Sequence, residues 1–116
     1  MEILESATPE GAVVHVTGNV NSSNAAILGE KLKQTLHAGS RSVVLDFSRL
    51  GHMTSAGFRL LLQAEMQCQA TGGKLVMYGL HGLTLELFEI GGFLEMFTVA
   101  ASREEALGLA AGRAGV

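Results

Sequence analysis

Residues 46–62 read DFSRLGHMTSAGFRLLL, and within this run a strand pattern gives way to a helix pattern. Upstream, residues 41–47, RSVVLDF, form an apolar run of strand length bounded by turn residues. Its continuous apolar middle fits a strand buried on both faces. Residues 48–53 are expected to form a loop. A helix is predicted from Ser55 to about Thr71, with Leu61, Glu65 and Cys68 on one line and Phe58, Leu62 and Met66 on another. Gly72 and Gly73 end it. A buried strand joined by a short loop to an amphipathic helix is a building unit of α/β folds.

The same reading extends in both directions. Downstream, residues 74–78, KLVMY, are a second apolar strand, residues 83–90 a short helix closed by Gly91 and Gly92, and residues 96–100 a last strand. Ser102 opens a terminal helix, and Ser102 with Glu105 has capping-box spacing. Upstream, residues 12–17, AVVHVT, are rich in β-branched types and stop at Gly18. Residues 1–6 have weaker strand character, and Pro9 with Gly11 marks a turn between the two, which predicts an antiparallel hairpin. Asn21, Ser22, Ser23 and Asn24 are helix-capping types. After them Ala25, Leu28, Leu32 and Leu36 recur at helical spacing, with Glu30, Lys31, Lys33 and Gln34 off the stripe and Gly39 as the stop. The order β-β-α-β-α-β-α-β-α predicts a mixed, mostly parallel β-sheet with right-handed crossovers, an N-terminal hairpin and about four helices. This is an α/β class chain with a single domain over residues 1–116.

Composition limits the function classes. The chain has 116 residues, enough for one domain with a real core, and 47% of them are apolar. Trp is absent, so Leu, Val, Ile, Ala and Met must build that core. The one cysteine, Cys68, cannot close an internal disulfide or supply a Cys-rich zinc site, which suits a reducing, cytoplasmic address. The acidic N-terminus lacks a secretory pattern, and no stretch reaches the ~18 apolar residues of a membrane span, so no direct membrane insertion is expected. A net charge of −3 with only eight Lys and Arg argues against nucleic acid as the main partner.

The search for chemistry finds little. His15, His37, His52 and His81 are scattered, none at i, i+4 from another, and no metal site is expected. Cys68 sits mid-helix between Gln67 and Gln69 and reads as packing. Gly72-Gly73-Lys74 precedes a strand, whereas a nucleotide-binding glycine loop precedes a helix. The turn from Gly79 to Gly82 reads as a plain strand-to-helix connection. Asp46, the one Asp, lies near a strand end, where a lone acid caps or braces a loop; no second carboxylate stands by for general acid–base work. No cofactor and no enzymatic activity are expected. That leaves Thr54 and Ser55 at the start of the long helix. Either can cap it by accepting a hydrogen bond from a free backbone N–H. The helix N-terminus also favours negative charge. A phosphoryl group on Ser55 would add about −1.5 to −2 charges and act by facing a partner's acidic groups or by filling space the partner needs. On physical grounds alone the plain cap is favoured over the switch.

The motifs themselves shift that balance. The segment Val16-Thr17-Gly18-Asn19-Val20-Asn21 resembles the strand-then-G-E-L/I-D segment of the STAS family, the anti-sigma factor antagonists and their relatives. Val44-Leu45-Asp46-Phe47-Ser48, followed by Met53-Thr54-Ser55-Ala56-Gly57-Phe58-Arg59-Leu60-Leu61, is similar to the family's D-S-S/T-G-L or S-S-A-G-L-R pattern. Gly72-Gly73-Lys74-Leu75 and the helix end Leu87-Phe88-Glu89-Ile90-Gly91-Gly92-Phe93 extend the resemblance over nearly the whole chain. The resemblance implies partner switching. An unphosphorylated antagonist binds an anti-sigma factor that is also a serine kinase; the kinase phosphorylates it, it lets go, and a serine phosphatase resets it. By position, Ser55 is then the phosphoacceptor, with Thr54 second to it, and Asn19, Asn21, Thr54, Ser55 and Gly57 lie where the partner binds. Asn19 and Asn21 replace the family's usual acidic residues, which bears on kinase choice or phosphorylation rate. Thr54 replaces an Asp often found there. The alternatives are a non-switching STAS accessory subunit of a transporter or other signalling complex, and a small enzyme or nucleotide-binding protein. The edge of the sheet leaves a weak homodimer open.

Overall fold

The computed structural model describes residues 1–37 and 42–112. Its elements, in chain order, are β1 (Glu2–Thr8), β2 (Gly11–Val20), α1 (Ala25–His37), β3 (Val43–Met53), α2 (Ser55–Ala70), β4 (Leu75–Tyr78), α3 (Gly82–Ile90), a single 3-10 turn (Phe93–Glu95), β5 (Thr98–Ala100) and α4 (Arg103–Ala110). The strands form one sheet in the order β1-β2-β3-β4-β5. β1 pairs antiparallel with β2, and every later pairing is parallel. This is the mixed, mostly parallel α/β sheet with an N-terminal hairpin and four helices that the element order implied.

Alternation along the strands sorts side chains onto two faces. Val14 and Val16 of β2, Val43, Leu45 and Phe47 of β3, and Leu75 and Met77 of β4 face one way. There they pack with Leu28 and Leu32 of α1, Leu61 and Cys68 of α2, and Phe88 of α3. Val13, Val44, Val76 and Tyr78 face the other way and meet Ala106 and Ala110 of α4. The sheet is covered on both faces in its middle, which is why β3 and β4 read as unbroken apolar runs. α1 is also tied to the edge strand β1. The buried Thr35 hydroxyl donates to Glu5 Oε1 at 2.8 Å, and Lys31 pairs with the same carboxylate at 3.2 Å.

The expected loop at residues 48–53 is instead the second half of β3. Thr17 pairs with Arg49, Gly18 with Leu50 and Val20 with Met53, so β2 also runs past Gly18. The register shifts twice on the way, between His15 and Thr17 and between Gly18 and Val20. Burial in this half therefore falls on Phe47, Leu50 and Met53, every third residue, and not on every second one. Such irregular pairing erases the period-2 signal on which strand reading depends. At the other end, residues 93–95 form the 3-10 turn and β5 shortens to Thr98–Ala100. Gly39 and Arg41, the expected stop of α1 and start of β3, lie outside the described residues.

The Ser102 cap forms as its sequence spacing suggested: the Glu105 N–H donates to Ser102 Oγ at 3.1 Å. Ser102→Ala should lower the unfolding free energy by about 1 kcal/mol. The readout is a lower urea midpoint at unchanged slope; an unmoved midpoint would show that the cap contributes nothing.

Candidate functional site

The C-terminal ends of β2 and β3 bring two segments together. β2 leaves the sheet at Val20 and enters the Asn21–Asn24 turn; β3 leaves at Met53 and enters α2 through Thr54. Thr54 is extended, and its N–H donates to the Val20 carbonyl at 3.0 Å. One step back, the Asn19 side-chain carbonyl accepts the His52 N–H at 2.8 Å. Gly51 makes room for this bond, since a Cβ there would overlap Asn19 Oδ1. Asn24 then closes the turn. Its Nδ2 donates to the Asn19 carbonyl at 2.9 Å, and its Oδ1 accepts the Asn21 N–H at 2.8 Å. Asn21 Oδ1 accepts the Ser23 N–H at 2.9 Å, an Asx turn. Asn19 and Asn21 thus spend their side-chain oxygens on backbone N–H groups, Asn19 on the end of β3 and Asn21 within its own turn.

Thr54 and Ser55 are both exposed, and neither hydroxyl caps α2. The expected capping bond is absent. Thr54 is the N-cap residue by position, but it serves the helix through its backbone carbonyl, which accepts from Gly57 N at 2.9 Å and Phe58 N at 3.3 Å. Ser55 is the first helical residue, and its hydroxyl bonds to no described residue. Gly57, two residues on, is buried. A Cβ on it would overlap the Met53 side chain and press on Val20, so the missing side chain lets the first turn of α2 sit directly on the two strand ends.

The apolar line of α2 continues into a cluster of rings. Phe58 stacks on Phe93 with centroids 4.9 Å apart and meets Phe88 of α3 at 5.0 Å. α3 therefore stands beside the first turns of α2. On its outer side it exposes Leu83, Leu87 and Ile90, the last 82% accessible. Exposed apolar residues at i, i+4 and i+7 on a helix are a feature of protein-docking faces. Helical spacing alone gives the stripe but not which side of it faces the core.

A second constellation lies on the α4 side of the sheet. His15 Nδ1 is 2.7 Å from Asp46 Oδ2, and His15 Nε2 is 3.2 Å from Ser6 Oγ. Asp46 Oδ1 accepts from the Ser48 hydroxyl at 2.6 Å and from its N–H at 2.9 Å. Asp46 thus braces the chain that follows it, as a lone strand-end acid was expected to. The pairing with His15 was not anticipated, although a lone ionisable residue in each of the apolar runs AVVHVT and VVLDF was the available signal: β2 and β3 place His15 and Asp46 in register. The order serine, histidine, carboxylate is also that of acyl-transfer triads. Ser6, however, sits in mid-strand, where successive backbone N–H groups point opposite ways in the sheet plane. They cannot converge on one oxyanion. The chain acts as a brace across β1, β2 and β3. Burial alone would raise the Asp46 carboxyl; the bonds from Ser48 and His15 outweigh it and hold the carboxyl below the ordinary value.

Cys68 is buried, and burial together with the Glu65 charge pushes its thiol up to about 11, so it stays protonated and packs as an apolar side chain. Among the described residues no three His, Cys, Asp or Glu side chains gather where they could hold a metal ion.

Two substitutions probe these contacts. In Gly57→Ala, overpacking against Met53 costs about 1–3 kcal/mol and exceeds the roughly 1 kcal/mol gained in helix propensity. The expected result is a net lower urea midpoint, and a rise would mean that Met53 moves aside freely. Asp46→Asn should cost about 1–2 kcal/mol at neutral pH. Because the folded carboxyl is depressed, its contribution is present above the unfolded value and is lost as pH falls through the folded one. The gap between the two proteins should therefore close as pH drops below about 4. A gap that stays constant from about pH 7 to about pH 3 would assign the effect to shape and not to charge.

Comparison with known proteins places this geometry. Residues 3–100 match the family described as Mlab, STAS domain. BtrV of Bordetella bronchiseptica, whose name gives it as a candidate anti-sigma factor antagonist, is 45% identical over 89 residues, 77% of each chain. Two solved structures share the fold. An anti-sigma factor antagonist from Mycobacterium paratuberculosis superposes with a TM-score of 0.83 at 17% identity, over 94% of this chain and 92% of that one. The Bacillus cell fate determinant SpoIIAA in its phosphorylated form gives 0.71 at 20% identity, over 93% and 98%. With a family match spanning nearly all of the sheet and a relative this similar in sequence, the chain belongs to the STAS domain family.

Proposed function

We propose that the chain is an anti-sigma factor antagonist that switches partners through Ser55. In its unphosphorylated form it binds and sequesters an anti-sigma factor that is also a serine kinase, in the cytoplasm, and frees the kinase's other target. The kinase then transfers the γ-phosphoryl group of ATP to Ser55 Oγ. The hydroxyl proton leaves with the kinase's base, ADP departs, and the antagonist lets go. A serine phosphatase removes the group by hydrolysis. The chain itself catalyses nothing in this cycle.

The observation that carries this reading is the state of Ser55. Its hydroxyl is exposed, bonds to no described residue and stands on the first helical residue of α2. A kinase can reach it without unfolding anything, and the helix N-terminus tolerates the added charge. Thr54 shares the exposure and ranks second, because its backbone is tied to Val20 at the sheet. Asn19 and Asn21 border the same surface, and Gly57 shapes it from beneath. The apolar face of α3, a short way along, suits a protein partner.

Ser55→Ala removes no capping bond, so it should leave stability within about 0.5 kcal/mol of wild type. Intact-mass spectrometry with site mapping, after incubation with ATP and the kinase encoded beside this gene, should find one phosphate on Ser55 and none in Ser55→Ala. Calorimetry should show Ser55→Ala binding the kinase as wild type does and Ser55→Asp or Ser55→Glu binding more weakly. An active kinase that leaves Ser55 and Thr54 unmodified, together with unchanged affinity in the acidic variants, would move the assignment to a non-switching STAS subunit.

A further inference from the structure

The exposed first turns of α2 carry one cation, Arg59. We propose that Arg59 is the built-in counter-ion of a phosphoryl group on Ser55, drawing that group toward the helix face. The inference rests on the partner-switching reading above and adds to it how the modified state is held.

Ser55 and Arg59 are four residues apart on α2, and both are exposed. Side chains at this spacing share a face, with about 5–6 Å between their Cβ atoms. Helical side chains also lean toward the N-terminus, so the long Arg59 stem runs back over the turn that begins at Ser55. Among the described residues Arg59 is uncommitted. The ion pairs there are His15 with Asp46 and Lys31 with Glu5, and Arg59 makes no hydrogen bond to a described residue. The neighbouring charges come from α1: Glu30 and Lys33 line a groove of about 350 Å³ together with Arg59 and Ala56. Glu30 is a rival for the guanidinium but forms no ion pair with it. A phosphate brings up to two charges and three acceptor oxygens, which match the planar guanidinium fork better than one unpaired carboxylate does. Drawn in this way, the phosphoryl group spends more of its time over the first turn of α2 than free rotation would give it.

The test uses the full chain with phosphoserine installed at position 55 through the genetic code, so it does not depend on any kinase. Phosphorus NMR follows the second ionisation of the phosphate with pH. The helix N-terminus lowers that ionisation in every variant alike. Arg59 should lower it further, so Arg59→Gln should raise it by about 0.3 pH units, the size expected of an exposed i, i+4 pair, and Arg59→Lys should restore most of the difference. In about 1 M salt the difference between wild type and Arg59→Gln should shrink toward zero. Equal ionisation with and without the Arg59→Gln substitution at low salt, or a difference that about 1 M salt leaves unchanged, would overturn the assignment. A kinase that ignores Ser55 would sink the switching reading and leave this measurement intact. An unchanged ionisation would sink the role of Arg59 and leave the switch standing.

Discussion

The hydrogen bond from the Thr54 N–H to the Val20 carbonyl is the contact on which the candidate site depends. It extends the β2–β3 pairing one step beyond the last strand residues and fixes where α2 begins. By itself such a bond contributes about 1 kcal/mol net. What makes it durable is the burial around it. Val20 and Met53 are both buried beneath Gly57, and burying side chains of this size stabilises by roughly 1.5–3 kcal/mol each. Apolar packing therefore outweighs the polar contact, while the polar contact sets the register. Asn19 adds a second tie by taking the His52 N–H, so the ends of β2 and β3 are joined at both the backbone and the side-chain level.

This arrangement explains the tolerance for Asn at positions 19 and 21. The work seen in the fold is acceptance of backbone N–H groups, which an amide oxygen performs as a carboxylate does. What the amides lack is charge. The turn beside α2 therefore carries no carboxylate at positions 19 and 21. Farther along the same two strands, Asp46 keeps its charge where His15 and Ser48 satisfy it. The one Asp of the chain thus serves the sheet brace.

The fold was largely legible in the sequence because most elements carry an unbroken signal. The β-branched run around Val13–Val16, the helical stripe Ala25, Leu28, Leu32 and the continuous apolar run in KLVMY each match one template. The second half of β3 was illegible for a physical reason: two register shifts space its buried residues by three, which matches neither template. Ser55 stands out as a candidate because a helix start and a family motif coincide on it. The failure of Thr54 and Ser55 to cap could not be read, since hydroxyl types at an N-terminus are compatible with capping whether or not the side chain turns inward. The His15–Asp46 pair was hidden because register across a parallel sheet is a tertiary fact, and the α1 crossover separates the two strands in sequence.

The rigidity of this junction also decides how the proposed modification would act. Ser55 is exposed and unbonded, so a phosphoryl group there displaces no packing and breaks no capping bond. On the free protein its charge meets water, where surface pairs are worth only about 0–1 kcal/mol. In a complex the same charge would be stripped of water against the partner, where an unmatched charge costs about 2–5 kcal/mol. Since about 1.4 kcal/mol is a tenfold change in affinity, the modification can abolish binding while the domain itself stays folded and unaltered. A serine on a mobile loop would let the phosphate swing away and escape that cost. Placement on a turn locked by Val20, Met53 and Gly57 removes the escape, and it gives the rigid site a mechanical purpose that stability alone does not require.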